Sequence, residues 1–323
     1  MMHRLLAAAA AFAFSLPAAA QEAPSPPSPG EIAAAAPASD WVAIAASDLL
    51  VMDLVPDAAG KPRRVVIQLM PAPFVAGWVG NIRKLAAAHW WDGTSVNRVQ
   101  DNYVVQWGDA TEKKALPEGL AVVPESDYVL SGGAAYSLKR LIVDHERALM
   151  ADLYWRSGGY SFANGMPVAL DDVRLSGLPD PNPAKAWPIH CYGAVGVGRN
   201  LSPDTGSGAE LYTVIGHAPR HLDRNIAVVG RVIAGIEYLS SLPRGTGGLG
   251  FYEDEKERVP IASIRIASDL PAADQPKFEY LSTDSSSFQR YANARANRRD
   301  AFFNIPAGGA DICNIPVPVR AVK

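Results

Sequence analysis

Apolar residues fall in short blocks along most of the chain. From Trp41 to Val55 the sequence is mainly apolar, interrupted by Asp48 and Asp53. Pro56-Asp-Ala-Ala-Gly60 has turn chemistry, and Arg63 to Leu69 is a second apolar block, so the pattern predicts a hairpin. Val75, Val79, Ile82 and Leu85 then follow at spacings of 4, 3 and 3, a helical stripe. Pro73 stands where a first helical turn tolerates it. Asn102 to Trp107 has strand composition, and Gly108-Asp109 closes it. Alternation puts Val104 and Gln106 on one face, Tyr103 and Val105 on the other. Just upstream, Arg98 stands alone among apolar neighbours; taken by itself it reads as a solvated residue of an edge strand. Leu211 to Ile215 and Ile226 to Val232 are predicted strands, Ile233 to Ser241 a short helix ended by Pro243 and Gly245, and Pro260 to Ala267 a closing strand.

Two long segments break this rhythm. Within residues 116–189, Ser137 to Tyr154 carries a helical stripe of Leu138, Leu141, Ile142, Leu149 and Leu153, followed by Gly158-Gly159, Gly165 and a Pro-rich run from Leu178 to Pro188. So long a loop needs structure of its own, and a helix with a few ordered turns packed beside the strands is expected. Residues 270–323 form a C-terminal extension. There, Ser285 to Arg299 has helical spacing with many arginines, which reads as a solvated face. Asn304-Ile-Pro and Cys313 to Arg320 read as extended strings lying over the surface of the stranded core.

The N-terminus adds a compartment. His3-Arg4, the apolar run Leu5 to Leu16 and Ala18-Ala-Ala20 before Gln21 have the order of a secretory signal, with cleavage expected after Ala20 and a periplasmic or secreted destination. The run is too short for a stable membrane anchor, and no later stretch is long and apolar enough, so no lasting membrane insertion is expected. Residues 21–40, rich in Pro, Ala and Ser, read as a flexible leader. At 323 residues with a net charge of -3, the chain has room for a large core and no bulk charge for holding nucleic acid. Cys191 and Cys313 are its two cysteines, a possible disulfide in an exported protein.

The order of several motifs is more specific than any one of them. Arg64-Val-Val-Ile-Gln-Leu-Met70, the Pro-led helix with Asn81-Ile82, the turn Trp90-Trp-Asp-Gly-Thr94 and the stretch Val96-Asn-Arg-Val…Gln106-Trp-Gly-Asp109 follow one another. Downstream come Gly206-Ser-Gly-Ala-Glu-Leu-Tyr-Thr-Val214, Leu222-Asp223 and Val228-Val-Gly-Arg-Val232. This series resembles the cyclophilin family of peptidyl-prolyl isomerases over about residues 48–115 and 190–268. The resemblance implies a mainly β fold: a closed antiparallel barrel capped by helices, spanning residues 41–269 and interrupted by the insertion. It also implies proline-containing polypeptides as substrates and a reaction that needs no cofactor and no metal.

By residue-for-residue carry-over, Arg98 matches the family's catalytic arginine and Gln106 the groove glutamine beside it. Tyr103, Val104, Tyr212 and Leu222 match pocket positions. Several positions depart from the family pattern. Tyr103 and Tyr212 replace phenylalanines, and Glu210 replaces a groove glutamine, adding an anion near Arg98 that either pairs with the arginine and neutralises it or only orients it. Gly198 and Arg199 stand where Ala-Asn is usual, His221 replaces a groove tryptophan, and Ile226 replaces a histidine. The proline slot is thus expected to be kept and its rim remodelled; a peptide-binding or chaperone module without catalysis is the rival reading. Other chemistries lack their patterns. Gly193 to Gly198 has neither the spacing nor the following helix of a nucleotide loop. His190, Cys191, His217 and His221 lack metal-ligand spacing, and there is no Gly-x-Ser-x-Gly elbow.

Overall fold

The apolar blocks pair in the order that closes a barrel. The computed structural model describes residues 25–135, 137, 159–170 and 184–322. Its strands are β1 (Trp41–Ala43), β2 (Leu49–Leu54), β3 (Arg63–Leu69), β4 (Ser95–Val99), β5 (Val104–Gly108), β6 (Leu130–Ser131), β7 (Tyr160–Ala163), β8 (Met166–Leu170), β9 (Lys185–Pro188), β10 (Ala194–Val197), β11 (Leu211–Val214), β12 (Val228–Ala234), β13 (Val259–Ile266), β14 (Phe278–Leu281) and β15 (Val319–Ala321). Eight of them form a closed antiparallel barrel, β10-β11-β5-β4-β13-β2-β3-β12, with β12 paired back to β10. The predicted hairpin is β2–β3, pairing Leu54 with Arg63 across the turn. Leu50, Met52 and Leu54 point into the barrel core, whereas Leu49 and Val51 pack outside with Val66 and Ala267. With both faces covered, β2 is apolar without alternation.

Helix α2 (Ala76–Ala87) closes one end of the barrel, burying Trp78, Ile82 and Leu85 completely. Pro73 is not in its first turn. Phe74 and Val75 fold into the core, Val75 takes the N-cap at φ 43, and the helix begins at Ala76. Asn81 ties this helix to the start of the insertion, donating to the Ala121 carbonyl at 2.9 Å and accepting from the Ala121 N–H at 2.7 Å.

The insertion and both ends of the chain differ from expectation. Where ordered turns were expected beside the barrel, the described part of the insertion forms a four-stranded sheet, β6-β9-β8-β7. Its β7–β8 hairpin turns on Asn164-Gly165, both at positive φ, as a two-residue turn requires. The predicted helix from Ser137 to Tyr154 lies, except for Ser137, outside the described residues, as do Gly158 and residues 178–183 of the Pro-rich run. The signal segment 1–20 and the start of the leader are outside them too. The rest of the leader is ordered: Ser28 and Glu31 form a capping box on helix α1 (Pro29–Ala34), and Ser28 N–H donates to the Glu31 carboxylate at 2.7 Å. This helix packs against helix Ser286–Ala296, which is not a solvated helix, since Phe288, Tyr291, Ala292 and Ala296 are buried with Ile312 and Ile315. β1, β14 and β15 form a further sheet beside this second core. The predicted helix from Ile233 shrinks to Glu237–Ser240, because β12 continues through Ala234 and Gly235, at φ 80, then turns the chain. A disulfide joins Cys191 to Cys313, 122 positions apart, with Cα atoms 5.1 Å from each other. No helix among the described residues is long and apolar enough to cross a membrane.

Candidate active site

Arg98 and Gln106 are brought side by side by the β4–β5 ladder, which pairs them directly. Arg98 Nη1 donates to Gln106 Oε1 at 3.1 Å, Nε donates to the Leu249 carbonyl at 2.8 Å, and Nη2 donates to Gln100 Oε1. A guanidinium has five N–H donors, so two remain, one on each terminal nitrogen. The Arg98 Cζ lies 5.9 Å from the Tyr103 ring centre and 5.3 Å from that of Phe251. Burial lowers the Arg98 pKa, with the Tyr103 and Tyr212 rings opposing the shift; the group remains a cation whose direction is fixed on three sides.

The groove in front of this cation has a volume of about 740 Å³. Arg98, Gln106, Tyr103, Val104, Gly198, Glu210, Tyr212 and Leu222 all line it. Val104 and Tyr212 are buried at 2% and 5% exposure, so they form floor rather than rim. Gly196 lets the Tyr212 ring lie flat on β10, where a Cβ would strike it. His221 does not line the groove. It is exposed and stacks on the outer side of Tyr103, ring centres 6.3 Å apart.

Glu210 does not pair with Arg98. Among the described residues no ion pair joins them. Its carboxylate turns toward the end of β5 and accepts from the Asp109 N–H at 2.7 Å. Gly108, at φ 154, leaves room for it; any side chain there would collide with the carboxyl. Burial raises the Glu210 pKa from 4.5 to about 7, against hydrogen bonds from Asp109 N–H and from the side chains of Gln106 and Asn97. Gln106 therefore has its amide N–H₂ toward Glu210 and its oxygen on Arg98.

Behind the slot lies a network that sequence reasoning missed. The Tyr212 hydroxyl is 2.9 Å from His190 Nε2, and Nδ1 is 2.8 Å from Asp223 Oδ1. Asp223 also accepts from His190 N–H at 2.9 Å and from Arg220 Nε at 2.6 Å. Burial would raise the Asp223 pKa, but the bonds from His190 and Arg220 outweigh it and hold the carboxyl below its usual value. Since the carboxylate only accepts, Nδ1 carries the proton that faces it. The hydroxyl that Tyr212 adds to a phenylalanine position is thus anchored in the core. Phe251 and the Leu249 carbonyl were missed as well. Their one signal was Gly245-Thr-Gly-Gly-Leu-Gly, a run that lets backbone approach a neighbour closely.

The family model for cyclophilin type peptidyl-prolyl cis-trans isomerase/CLD matches residues 63–268. The chain belongs to the cyclophilin-type isomerase family. Its reaction is accordingly the cis-trans rotation of X-Pro peptide bonds. Among solved structures it is similar to cyclophilin AquaCyp293 from Hirschia baltica, at 21% identity and a TM-score of 0.63, over 87% of this chain and 93% of that one. That likeness bears on the fold. A cyclophilin type peptidyl-prolyl cis-trans isomerase from Cryptosporidium parvum, solved in the presence of the dipeptide Ala-Pro, aligns at 10% identity and a TM-score of 0.37, over 67% of this chain and 98% of that one. No curated protein sequence matches the chain. The insertion from 116 to 189 falls inside the matched span, so it interrupts the isomerase barrel.

Proposed function

We propose that this isomerase acts on proline-containing segments of exported proteins, with Arg98 as the donor that drives rotation and Gln106 as its positioning partner. The observation that carries the assignment is the half-buried guanidinium held on three sides with two N–H donors left over beside the slot lined by Val104, Tyr212 and Leu222. Rotation about an X-Pro bond faces a barrier of roughly 18–20 kcal/mol, set by amide resonance. A donor that hydrogen-bonds the prolyl nitrogen as it becomes pyramidal favours the twisted state over the planar one. A fixed arginine can do this without a covalent step, because its charge and direction are set before the substrate arrives. Val104, Tyr212 and Leu222 would hold the proline ring, Gly198 and Glu210 would border the neighbouring substrate residue, and His221 would brace Tyr103.

The signal-like N-terminus supports an extracytoplasmic site of action, and the Cys191–Cys313 disulfide is a bond that oxidising compartments favour. N-terminal sequencing of the protein from an envelope fraction tests this: Gln21 as the first residue is expected, and Met1 on a cytoplasmic product would refute it. For the reaction, NMR exchange on a proline tetrapeptide separates an enzyme from a binding module. Faster exchange between the cis and trans signals is expected; binding with unchanged exchange would favour the module.

A further inference from the structure

Where the insertion and the C-terminal extension meet the barrel, a second cavity remains, away from the isomerase groove. It holds about 270 Å³ against the outer face of β10 and β12, under Phe162 and Met166 of the insertion and Ile315 and Val317 of the extension. The disulfide partners Cys191 and Cys313 form part of its wall, and Tyr192, 52% exposed, stands at its edge. Of the residues lining it, one is charged, Arg231.

Arg231 stands on β12 opposite Gln68 of β3. Its Nε and Nη2 both donate to Gln68 Oε1, at 3.0 and 2.9 Å. That partner is neutral, and among the described residues no ion pair includes Arg231. Three of its five N–H donors, two on Nη1 and one on Nη2, carry no protein hydrogen bond there. Burial lowers the Arg231 pKa to about 10, which leaves it a cation at neutral pH. Arg231 is half-buried, and a cation partly withdrawn from water without an anion is costly in an apolar wall. An edge that presents N–H groups from both terminal nitrogens matches a carboxylate.

We propose that this cavity binds a small amphiphilic monocarboxylate, its carboxylate on Arg231 and its apolar tail against Ile315 and Val317. At about 30 Å³ for each water-sized group, the volume suits a ligand of roughly nine or ten non-hydrogen atoms. The site belongs to this chain's additions, because the insertion and the extension supply the roof.

Calorimetric titration of octanoate into the full chain tests the proposal, with octan-1-ol and octylammonium as probes of equal length. Saturable one-to-one binding of octanoate is expected, with the alcohol and the amine at least tenfold weaker. Arg231→Met should weaken octanoate tenfold or more without changing the isomerase rate. Gln68→Glu supplies Arg231 with an internal carboxylate, so it should also abolish binding while raising Tm; it keeps the test valid if Arg231→Met does not fold. No saturable octanoate binding to wild type would overturn the proposal. So would undiminished affinity in either folded variant, or an alcohol that binds as tightly as the acid.

Discussion

Glu210 should make both stability and rate depend on pH near neutrality. Its carboxyl is raised from 4.5 to about 7 by burial, which at about 1.36 kcal/mol per pH unit corresponds to roughly 3 kcal/mol. Below pH 4.5 folded and unfolded chains both hold the proton. Between 4.5 and about 7 only the folded chain holds it, so stability falls as pH rises, and above about 7 the loss is complete. Glu210→Gln removes the titration. Urea unfolding at pH 5, 6, 7 and 8 should show wild type losing about 2.5 kcal/mol more than the variant across that range. The rate should move the other way. Ionised Glu210 accepts from the Gln106 amide and keeps its oxygen on Arg98, so exchange catalysis should rise severalfold through pH 7. Glu210→Gln should flatten that rise and lower the rate at pH 8. NMR exchange needs no coupling protease and can be run at each pH. Parallel stability profiles for the two proteins would refute the buried carboxyl. A faster Glu210→Gln enzyme at pH 8 would refute the positioning argument and restore a neutralising ion pair.

Tyr212→Phe should keep the ring in the slot and leave KM nearly unchanged, while the orphaned His190 Nε2 costs about 1–3 kcal/mol of stability, read from urea midpoints. Reducing the Cys191–Cys313 bond frees a closure of 122 positions; chain-entropy reasoning gives a loss of about 3–5 kcal/mol, seen as a lower Tm in reductant and absent from a Cys191→Ala, Cys313→Ala protein. Arg98→Lys should recover only part of the rate lost in Arg98→Ala, because lysine keeps the charge without the planar fork; equal rates for Lys and Arg in the exchange assay would contradict this.

The barrel was legible because its strands are single apolar blocks separated by turn residues, and because the motif order around Arg98 tied those blocks together. The insertion sheet was less legible. The Asn164-Gly165 turn signal was present, but the strands that join its hairpin, Leu130–Ser131 and Lys185–Pro188, are short and far apart in sequence. The ordered leader and the buried helix Ser286–Ala296 were misread for one shared reason. Each looks polar or featureless alone, and their burial comes from packing on each other across more than 250 positions of sequence, which no local pattern encodes. In the site, the positions carried over from the family, His221 apart, converge on one groove. Of the two roles open to Glu210, pairing with Arg98 or orienting it, the structure removes the direct ion pair: a substituted side chain settles by the space around it, here the gap over Gly108. The Tyr212–His190–Asp223–Arg220 network joins residues from three separate segments, and its members look unrelated until the barrel closes.

Arg98 is the proposed rotating donor, and the most direct test is the exchange rate of a proline tetrapeptide with wild type and Arg98→Ala, with thermal melts beside them. Arg98→Ala should fold with nearly the same Tm and lose roughly tenfold to a thousandfold in kcat/KM, on the order of 1.4–4 kcal/mol of transition-state stabilisation. Equal rates in two folded proteins would show that Arg98 is not the donor and that the groove binds proline without turning it.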